Sequence, residues 1–517
     1  MARIIVKCEK LTIEGIGVST YNNLPIYIPN LLVNEVAEIQ IVHKGYQKYF
    51  GKVLKILTPC KDRVTPECRF FGVCGGCQLQ HMSYESQLEF KKNYVKDLFI
   101  ENDLDFPFDA IYREKRPYFY RHKVMAPIKN NQRGFYEIKS RNFTKIDNCL
   151  IENSLAQKII RTILSLNLED LSYIYVRVGK HIDNVLLTLV TNKEESILSN
   201  EQIENIVKIH PNIKTITQSI KKEALSGKVL GEETKILFGK GYIVDKLLDV
   251  SFKISTNSFY QVNPTQTEIL YSKALEYASL KETDLVLDAY CGVGTIGLCA
   301  SKKSNSVIGV EIVEQAILDA KENALLNNID NVTFLCEDAK EYIKKSNLDF
   351  DVIFVDPPRK GCDKEFLETI MNANIKKIVY VSCDPKSLVR DLKFLKEKYN
   401  IEKVSLVDMF ANTSHVETIT LLQRKDIDDR LKVRFDLDNV PLVKEETKAT
   451  YQEIKDFIFN KHNVKVSTLN IAQTKTKYGI IERECYNKPK DDDSRQPKCT
   501  REKEEMIVDA LKHFKML

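Results

Sequence analysis

The longest regular pattern in the chain is an alternation of apolar runs and helical stretches that begins near Asp284 and continues to Lys425. The apolar runs read LVLDAY, SVIGVEI, VTFLC, DVIFVD, KIVYVS, KVSLVDM and ETITLLQ, and most are separated by helical segments such as residues 313–328. Near-continuous apolar strands alternating with helices are typical of a mostly parallel sheet covered on both faces. We therefore predict an α/β domain over residues 256–425.

A different rhythm precedes it over residues 1–59, where short apolar runs alternate with turn signals. This pattern predicts a small β-barrel of four or five strands, with Gly15 and Gly17 at a tight turn. Basic and aromatic residues mix near its end and would suit a single-stranded nucleic acid, although a solvated barrel rim fits the same pattern. They are Lys44, Tyr46, Lys48, Tyr49, Phe50 and Lys52.

Residues 60–255 form a predicted central domain, rich in strands, that opens with the densest cysteine run, CKDRVTPECRFFGVCGGCQLQH. A helical segment from Ser83 to about Asn102 follows, and it could pack on the α/β domain. Residues 112–149 then read as strands in which basic and aromatic residues mix. An RNA-facing sheet needs this mixture, because cations meet phosphates while rings stack on bases; an ordinary charged sheet surface is the alternative.

After Lys425 the composition turns polar, and residues 426–517 form an extension that the sheet does not need. Thr450 and Glu453 have the spacing of a helix capping box, and two helix-length pieces follow, joined near NVKVS. A helix-turn-helix, another nucleic-acid module or a small packed appendage would all fit, so we predict a small, α-rich extension.

The bulk composition excludes several classes of protein. With 517 residues, 43% of them hydrophobic, and a net charge of +5, the chain can hold several folded domains and is only weakly biased toward polyanions. No apolar run approaches the roughly 18 residues of a membrane span, and the N-terminus lacks the apolar core of a signal peptide. We therefore expect a cytoplasmic protein with no membrane partner, and a monomer by default.

The cysteines change this picture. The chain has 13 of them, and a reducing cytoplasm argues against a disulfide framework. Clustered cysteines are then better explained as metal ligands or nucleophiles.

The run LVLDAYCGVGTIGLCA predicts a strand, a glycine-rich turn and a helix, with Gly292, Gly294 and Gly297 in GxGxxG spacing. Such glycines let the backbone approach a nucleotide closely, and Thr295 stands in the same turn. Glu311 closes the next strand, where its carboxylate can accept hydrogen bonds from ribose hydroxyls. The pattern alone fits a NAD-dependent dehydrogenase, a methyltransferase that uses S-adenosylmethionine, or a structural turn.

Two further acids favour the methyltransferase. Asp338 follows the third strand, where it can bind an adenine amino group, and Asp356 opens a DPPRKG turn after the fourth strand. An Asp-Pro-Pro turn there can hold a substrate base beside a transferable methyl group, and dehydrogenases do not need this pair.

The remaining question is why Cys383 stands in YVSCDP at the end of a buried strand. Carbon 5 of uracil is a poor nucleophile until a thiolate adds to carbon 6, and a base must later remove the carbon 5 proton. Cys383 can supply the thiolate, and Glu417, just before the last strand, can act as the base. Carboxyl ends of strands are where ligands bind in open α/β sheets. The alternative is that Cys383 is a buried structural thiol without a role in catalysis. His415 is expected to support the loop before Glu417 and not to react itself.

The motifs LDAYCGVGTIGL, FVDPPRKG, YVSCDP and HVE, in this order and spacing, resemble those of the bacterial RNA uracil-5-methyltransferases over about residues 1–425. The resemblance implies a Rossmann-like class I methyltransferase sheet, an N-terminal OB-like TRAM domain that binds RNA, Cys383 as the nucleophile and Glu417 as the general base. It also implies that cofactor and base-pocket residues include Gln261, Tyr290, Glu311 and Asp356. One departure is FANT, where the family more often has a Pro-His pair, so Ala411 and Asn412 should change the local shape and hydrogen bonding of the loop that precedes Glu417.

Cys68, Cys74 and Cys77 are spaced C-x5-C-x2-C, and Cys149 lies beyond the basic strands. Four thiolates could hold Zn or a 4Fe-4S cluster, and spacing alone does not choose. The resemblance implies a 4Fe-4S cluster on these four residues, as in the branch of the family that acts on 23S ribosomal RNA, with Cys60 as a spare.

The sequence therefore predicts S-adenosylmethionine-dependent methylation of a uridine carbon 5 in 23S ribosomal RNA. A transfer-RNA uracil-5-methyltransferase and an RNA cytosine-5 methyltransferase are alternatives. The cytosine enzymes usually place their cysteine beside the proline turn, and Cys362 stands too far along. A non-catalytic RNA-binding or assembly factor is the alternative from another class.

Overall fold

The computed structural model of the chain describes residues 2–137, 140, 142–181, 184–222, 229–425, 449–480 and 499–517. The chain divides into two compact units, Met1–Ile427 and Asp428–Leu517. Each unit is described by itself.

The first unit opens with a six-stranded sheet in the order β1-β5-β6-β4-β3-β2. Its strands are β1 (Arg3–Lys7), β2 (Lys10–Leu11), β3 (Gly17–Tyr21), β4 (Leu24–Ile28), β5 (Val36–Gly45) and β6 (Lys48–Thr58). Alternate residues point inward and form a small core around Ile26, Ile28 and Ile39. The sheet has more strands than the four or five predicted, because β2 is too short to show a pattern in the sequence.

A helix and a strand then lead into the large sheet. Helix α1 (Tyr84–Glu101) begins at the N-cap Ser83, whose side chain accepts the Ser86 N–H. Val95 and Phe99 of α1 are buried in the core beneath the large sheet. Strand β7 (Phe108–Tyr112) pairs parallel to the edge of that sheet. Both elements lie within the predicted central segment 60–255, yet they pack with the α/β domain.

The rest of the central segment forms a seven-stranded sheet in the order β10-β9-β8-β11-β12-β13-β14, with helices α2 and α3 on one core. Its elements are β8 (Lys123–Lys129), β9 (Gln132–Tyr136), β10 (Phe143–Lys145), α2 (Ser154–Ser165), β11 (Leu171–Val178), β12 (Val185–Thr191), α3 (Asn200–Ile209), β13 (Ile213–Ile220) and β14 (Glu233–Gly239). A hairpin of β15 (Tyr242–Leu247) and β16 (Val250–Ser255) follows.

The large sheet has eight strands in the order β19-β18-β17-β20-β21-β23-β22-β7, all parallel except the antiparallel β23. Its chain-order elements are α4 (Pro264–Ala278), β17 (Leu285–Ala289), α5 (Thr295–Ala300), β18 (Ser306–Glu311), α6 (Glu314–Leu326), β19 (Val332–Cys336), α7 (Ala339–Lys345), β20 (Val352–Val355), α8 (Lys364–Asn372), β21 (Lys377–Ser382), α9 (Pro385–Leu395), β22 (Tyr399–Val407) and β23 (Glu417–Arg424). Two apolar cores cover its two faces. The apolar runs predict this mostly parallel sheet covered on both faces, and it is the mixed α/β arrangement of class I methyltransferases that the resemblance implies.

The second unit contains three described helices, α10 (Tyr451–His462), α11 (Thr468–Lys477) and α12 (Arg501–His513). Thr450 and Glu453 form the expected capping box at the start of α10. Ile454, Ile458, Ile471 and Ile507 are fully buried in a core of their own. The other parts of the predicted extension, 426–448 and 481–498, lie outside the described residues.

Within the described part of the chain, no helix is both long and apolar enough to cross a membrane.

Candidate active site

The carboxyl ends of the parallel strands border a cavity of about 1010 Å³. All but one of the residues predicted to bind cofactor or substrate line it: Gln261, Tyr290, Gly292, Thr295, Glu311, Asp338, Asp356, Cys383 and Glu417. The exception is Gly294. We call this space the active-site cavity.

The glycine-rich turn between β17 and α5 shapes one wall of the cavity. Gly292 has a φ of +54°, and a Cβ built on it would meet no atom within 4 Å, so bare backbone faces open space there. Gly294 has a φ of +81°, and its Cβ would lie 2.6 Å from the Phe334 ring. Gly294 therefore allows the turn to pack against the Phe334 ring, whereas Gly292 leaves room for a nucleotide to approach the backbone.

The buried Asp288 fixes this turn through a hydrogen bond to its backbone. The Oδ2 atom of Asp288 accepts the Gly297 N–H at 2.8 Å, and a Cβ built on Gly297 would lie 3.0 Å from the same oxygen. Burial raises the pKa of Asp288 to about 7, although the Gly297 hydrogen bond acts in the opposite direction. The third glycine of the motif thus allows a close contact between turn and strand.

Two more carboxylates stand at the ends of neighbouring strands. Glu311 ends β18, and its Oε1 accepts the Val313 N–H at 3.1 Å. Asp338 caps α7, and its Oδ1 accepts the Lys340 N–H at 2.9 Å. The backbone thereby orients each side chain, and each keeps a second oxygen that can accept hydrogen bonds from the hydroxyl or amino groups of a nucleoside.

Cys383, Asp356 and Glu417 line the same cavity although three different strands carry them. Cys383 follows β21 and is half-buried, Asp356 follows β20, and Glu417 begins β23 with only 4% of its surface exposed. Burial raises the pKa of the Cys383 thiol to about 12, with contributions from the charges of Glu417 and Asp356. Burial also raises the pKa of Glu417 to about 8 and that of Asp356 to about 7.

Arg359 opposes these shifts. Its guanidinium lowers the pKa of Cys383 and of Glu417, and it lines the active-site cavity beside both residues. At neutral pH the free site therefore holds a thiol and a carboxylic acid, and Arg359 favours the thiolate and the carboxylate. A thiolate can add to an electron-poor ring carbon, and a carboxylate can remove a proton from it.

The cavity also contains residues that the sequence reasoning missed. Arg359 lies within the DPPRKG turn, so the position of that turn at a strand end could have indicated it. Phe259, in SFYQVNP, is 67% exposed at the cavity and offers an aromatic face. Arg121 also lines the cavity, but it comes from the central segment, and no pattern in the sequence links it to this site.

His415 lines the cavity too, and burial, aided by the charge of Arg359, lowers its pKa. It is therefore neutral near pH 7. Cys362, by contrast, is buried in the core, where its Sγ lies 3.5 Å from the Tyr380 hydroxyl, and it does not line the active-site cavity.

The four predicted cluster ligands line a second cavity of about 230 Å³, which we call the cysteine cavity. Cys68, Cys74, Cys77 and Cys149 contribute to its wall together with aromatic residues such as Phe70 and Phe135, whereas Cys60 does not. Among the described residues, no group of three or more Cys, His, Asp or Glu side chains is placed to hold a single metal ion. The structure thus places the four cysteines on the wall of one cavity and shows no metal site among the described residues.

The prediction of a nucleic-acid-binding face on the first sheet is wrong for Tyr49. Tyr46 is 87% exposed, but Tyr49 is buried in the sheet core, where its ring lies 5.2 Å from that of Tyr21. Side chains alternate along β6, so Lys48 and Tyr49 point to opposite sides. Tyr49 is therefore not available to stack on a base.

Comparison with known proteins agrees with this geometry. A family model described as tRNA (uracil-5-)-methyltransferase matches residues 83–425, from the N-cap of α1 to the end of β23. An uncharacterized RNA methyltransferase of Staphylococcus aureus is 41% identical over 440 residues, which cover 80% of this chain and 96% of the relative. Another from Staphylococcus epidermidis is 38% identical over 446 residues, which cover 81% of this chain and 97% of the relative.

A solved structure has the same fold. The tRNA (uracil-54, C5)-methyltransferase of Pyrococcus abyssi, in complex with S-adenosyl-L-homocysteine, superimposes with a TM-score of 0.65 at 26% identity, covering 81% of this chain and 100% of that chain. The extent of these matches confirms the family that the motifs predict. The chain is an RNA methyltransferase and belongs to the tRNA (uracil-5-)-methyltransferase family.

Proposed function

We propose that this enzyme methylates carbon 5 of a uridine in 23S ribosomal RNA, with S-adenosylmethionine as the methyl donor. The observation that carries the proposal is the meeting of Cys383, Asp356 and Glu417 in one cavity with the glycine-rich turn. These groups are the thiol, the base-binding acid and the proton acceptor that carbon 5 methylation of uracil needs.

The first step belongs to Cys383. Its thiolate adds to carbon 6 of the uracil, and the electron pair of the carbon 5–carbon 6 double bond moves toward oxygen 4 as an enolate. Asp356, at the same cavity, holds the base, and Arg359 favours the thiolate electrostatically. S-adenosylmethionine supplies the methyl group, which carbon 5 takes as the sulfonium becomes a neutral sulfide.

The second step belongs to Glu417. Its carboxylate removes the proton from carbon 5, the double bond forms again, and the bond between carbon 6 and the Cys383 sulfur breaks. Burial raises the pKa of Glu417 to about 8, which makes its carboxylate a stronger base than an exposed glutamate. The released thiolate takes up a proton from solvent and becomes the thiol again, while Glu417 keeps the proton taken from carbon 5, so both groups return to the protonated state of the free site.

Residues of the glycine-rich wall would bind S-adenosylmethionine. Glu311 would accept hydrogen bonds from the ribose and Asp338 from the adenine amino group, while Gly292 leaves room for the ligand beside the backbone. Gln261 and Thr295 line the cavity together with Tyr271, and their side chains act to lower the pKa of Tyr271 against the larger effect of burial.

We further propose that Cys68, Cys74, Cys77 and Cys149 hold a 4Fe-4S cluster in the cysteine cavity. The collection of four cysteines on one wall supports this, and four protein thiolates leave no open iron site. The cluster would therefore stabilise this region and would not take part in methyl transfer. The first six-stranded sheet would act as the TRAM domain, with Tyr46 exposed for stacking on RNA.

Two observations bear on the choice of RNA. The four cysteines support the ribosomal-RNA branch, according to the resemblance of the motifs. The Pyrococcus abyssi enzyme of the same fold is a transfer-RNA methyltransferase, so a transfer-RNA uridine is the second candidate. An RNA cytosine-5 methyltransferase is less well supported, because Cys362 lies in the core against Tyr380.

The test is to incubate the purified protein, prepared without air, with labelled S-adenosylmethionine and either unmethylated 23S ribosomal RNA or unmethylated transfer RNA. Mass spectrometry of RNA fragments then locates the label, and a Cys383→Ala variant serves as the control. Label on carbon 5 of a ribosomal uridine, absent with the variant, is the expected result.

Other outcomes would reject the proposal. Label on transfer RNA would select the second candidate, and label on cytosine would select the cytosine enzyme. Methylation that survives in Cys383→Ala would exclude the covalent route through this thiol.

A further inference from the structure

The loop that carries the cavity residues before β23 is mostly buried although it has no regular secondary structure, and His415 is its exposed residue. We call residues 408–416 the base loop, because Glu417 follows them directly. Phe410, Thr413 and His415 of this loop line the active-site cavity. Its backbone position therefore helps to determine where Glu417 and His415 stand relative to a bound base.

Asn412 fixes the base loop to other parts of the chain. It is 2% exposed, with a left-handed φ of +68°. Its N–H donates to the Gln87 Oε1 at 3.0 Å, and its Oδ1 accepts from the Gln87 Nε2 at 3.2 Å. Its Nδ2 donates to the Pro117 carbonyl at 2.6 Å. Asn412 belongs to the FANT run that the sequence analysis singled out, and here it joins three segments.

The third segment is the loop of residues 68–79, which carries Cys68, Cys74 and Cys77. The Gln78 and Leu79 N–H groups both donate to the Asn412 carbonyl at 3.1 Å. The Gln78 side chain extends the link, because its Oε1 accepts the Ser414 N–H at 3.4 Å and its Nε2 donates to the Gly75 carbonyl at 3.0 Å. Gln78 directly follows Cys77, so a shift of that cysteine moves a hydrogen-bond partner of the base loop.

The two cavities also share a wall. Gly76, Arg121 and Ile151 line both the cysteine cavity and the active-site cavity. Tyr120 lines the active-site cavity, and its hydroxyl donates to the carbonyl of the buried Ala411 at 2.9 Å. Tyr120 and Ala411 belong to a small apolar cluster against which Cys77 and Cys149 pack.

We propose that Asn412 and Gln78 are positioning residues that couple the cysteine cavity to the base loop. What the four cysteines hold then sets how well Glu417 is placed to remove the carbon 5 proton. The inference rests on the proposed uracil chemistry and on the proposed cluster, and it adds a control of the second step. Loss of the coupling should slow elimination more than thiol addition, so the RNA should stay bound to Cys383.

The first test measures this covalent complex. Wild type, Asn412→Gly and Gln78→Ala are mixed with the RNA that wild type methylates, and a denaturing gel separates protein joined to RNA from free protein. Glycine accepts the left-handed φ and keeps the backbone bonds, so the Gly variant removes only the side-chain bonds. Asn328→Gly is the matched control, because Asn328 is an exposed residue with a φ of +53° outside both cavities. Glu417→Gln is the reference for blocked elimination.

We expect Asn412→Gly and Gln78→Ala to accumulate covalent complex while product formation falls by about tenfold to hundredfold, as small misplacements of reacting groups cause. Asn328→Gly should behave as wild type. Gln78→Ala changes a half-buried side chain only, so it tests the coupling even if the Asn412 variant does not fold. Product formation that is unchanged, or that falls together with the covalent complex, would overturn the proposal.

The second test needs no RNA, so it separates failure of the coupling from failure of the proposed uracil chemistry, and the iron content of the reconstituted protein shows whether the cluster has formed. Amide hydrogen exchange is compared between protein with reconstituted iron and sulfide and protein stripped with a chelator. Exchange over the base loop should rise on stripping in wild type and change less in Gln78→Ala, while β20 stays unchanged. Equal exchange of the base loop in the two wild-type samples would overturn the proposal.

Discussion

At the scale of single residues, the positive charge of Arg359 affects the pKa of both groups that are proposed to react, Cys383 and Glu417. It lowers the pKa of the Cys383 thiol and of the Glu417 carboxyl, against the larger effect of burial. In Arg359→Gln this charge is lost, so both pKa values should rise and both ionised forms should become rarer. The pH profile of kcat should move to higher pH by about one unit, with kcat near neutral pH falling roughly tenfold.

The control for this prediction is Arg359→Lys, which keeps the charge and should keep the profile close to that of wild type. A Gln variant whose pH profile does not move, even with lower kcat, would mean that Arg359 acts only by contact with the RNA.

Glu417 leads to a prediction about stability. Its pKa is about 8 in the folded protein against 4.5 for an ordinary glutamate, so the folded state binds an extra proton between these values. The free energy of unfolding therefore falls as pH rises through that window. Glu417→Gln has no proton to lose, so it should be more stable than wild type near pH 9, by on the order of 1 to 3 kcal/mol.

Urea unfolding at two pH values checks this sign. The advantage of Glu417→Gln should shrink near pH 5, where the wild-type carboxyl is protonated in the folded state and the window has barely begun. An equal advantage at both pH values would instead indicate better packing by the amide. We thus expect the carboxylate form of Glu417, which proton removal requires, to lower the free energy of unfolding.

The sequence could predict the candidate reacting residues because each adjoins an apolar run: Asp356 follows β20, Cys383 follows β21, and Glu417 begins β23. It could not predict that Tyr49 is buried, since this depends on the register of β6. It also could not predict the contact between Gln78 and Asn412, which only the tertiary fold brings together.

At the scale of elements, the two glycines of the β17–α5 turn should respond differently to the same change. Gly294→Ala places a Cβ against Phe334 at a φ of +81°, so it should destabilise the fold by about 1 to 3 kcal/mol. Gly292→Ala is also strained at a φ of +54°, but its Cβ meets no protein atom and projects toward the space proposed for the cofactor, so a loss of ligand binding should set it apart from the Gly294 variant.

Thermal unfolding and calorimetric binding of S-adenosylhomocysteine separate the two effects. The Gly294 variant should show the larger loss of Tm, and the Gly292 variant the larger loss of affinity relative to its change in Tm. The reverse order would mean that the ligand approaches the turn at Gly294.

Element prediction worked where an element carries its own pattern. The apolar runs from β17 to β23 are buried on both faces, so hydrophobicity alone marks them. Strand β7 has no such run, because it is an edge strand that pairs only with β22, and its place in the large sheet depends on a partner far along the chain. The predicted boundary at residue 255 could not take this pairing into account.

At the scale of the whole molecule, the chain combines a large unit that contains both cavities with a smaller unit that has its own core. Apolar residues of α10, α11 and α12 pack with one another in a core within the second unit. A protein cut after Ile427 should therefore fold and bind S-adenosylhomocysteine as the full chain does. We propose that the second unit adds contacts to RNA, as lysines outnumber acids over residues 449–480.

Truncation after Ile427 tests whether the second unit contributes to RNA binding and not to cofactor binding. RNA affinity is measured at several salt concentrations. Lysine contacts to phosphates release counterions, so the truncated protein should bind more weakly, with a slope of log affinity against log salt that is shallower by about 1 to 3. An unchanged slope with normal site choice would mean that the second unit is not an RNA-binding element. Weaker binding of S-adenosylhomocysteine after truncation would contradict the independence of the two cores, and the second unit would then have to support the methyltransferase fold itself.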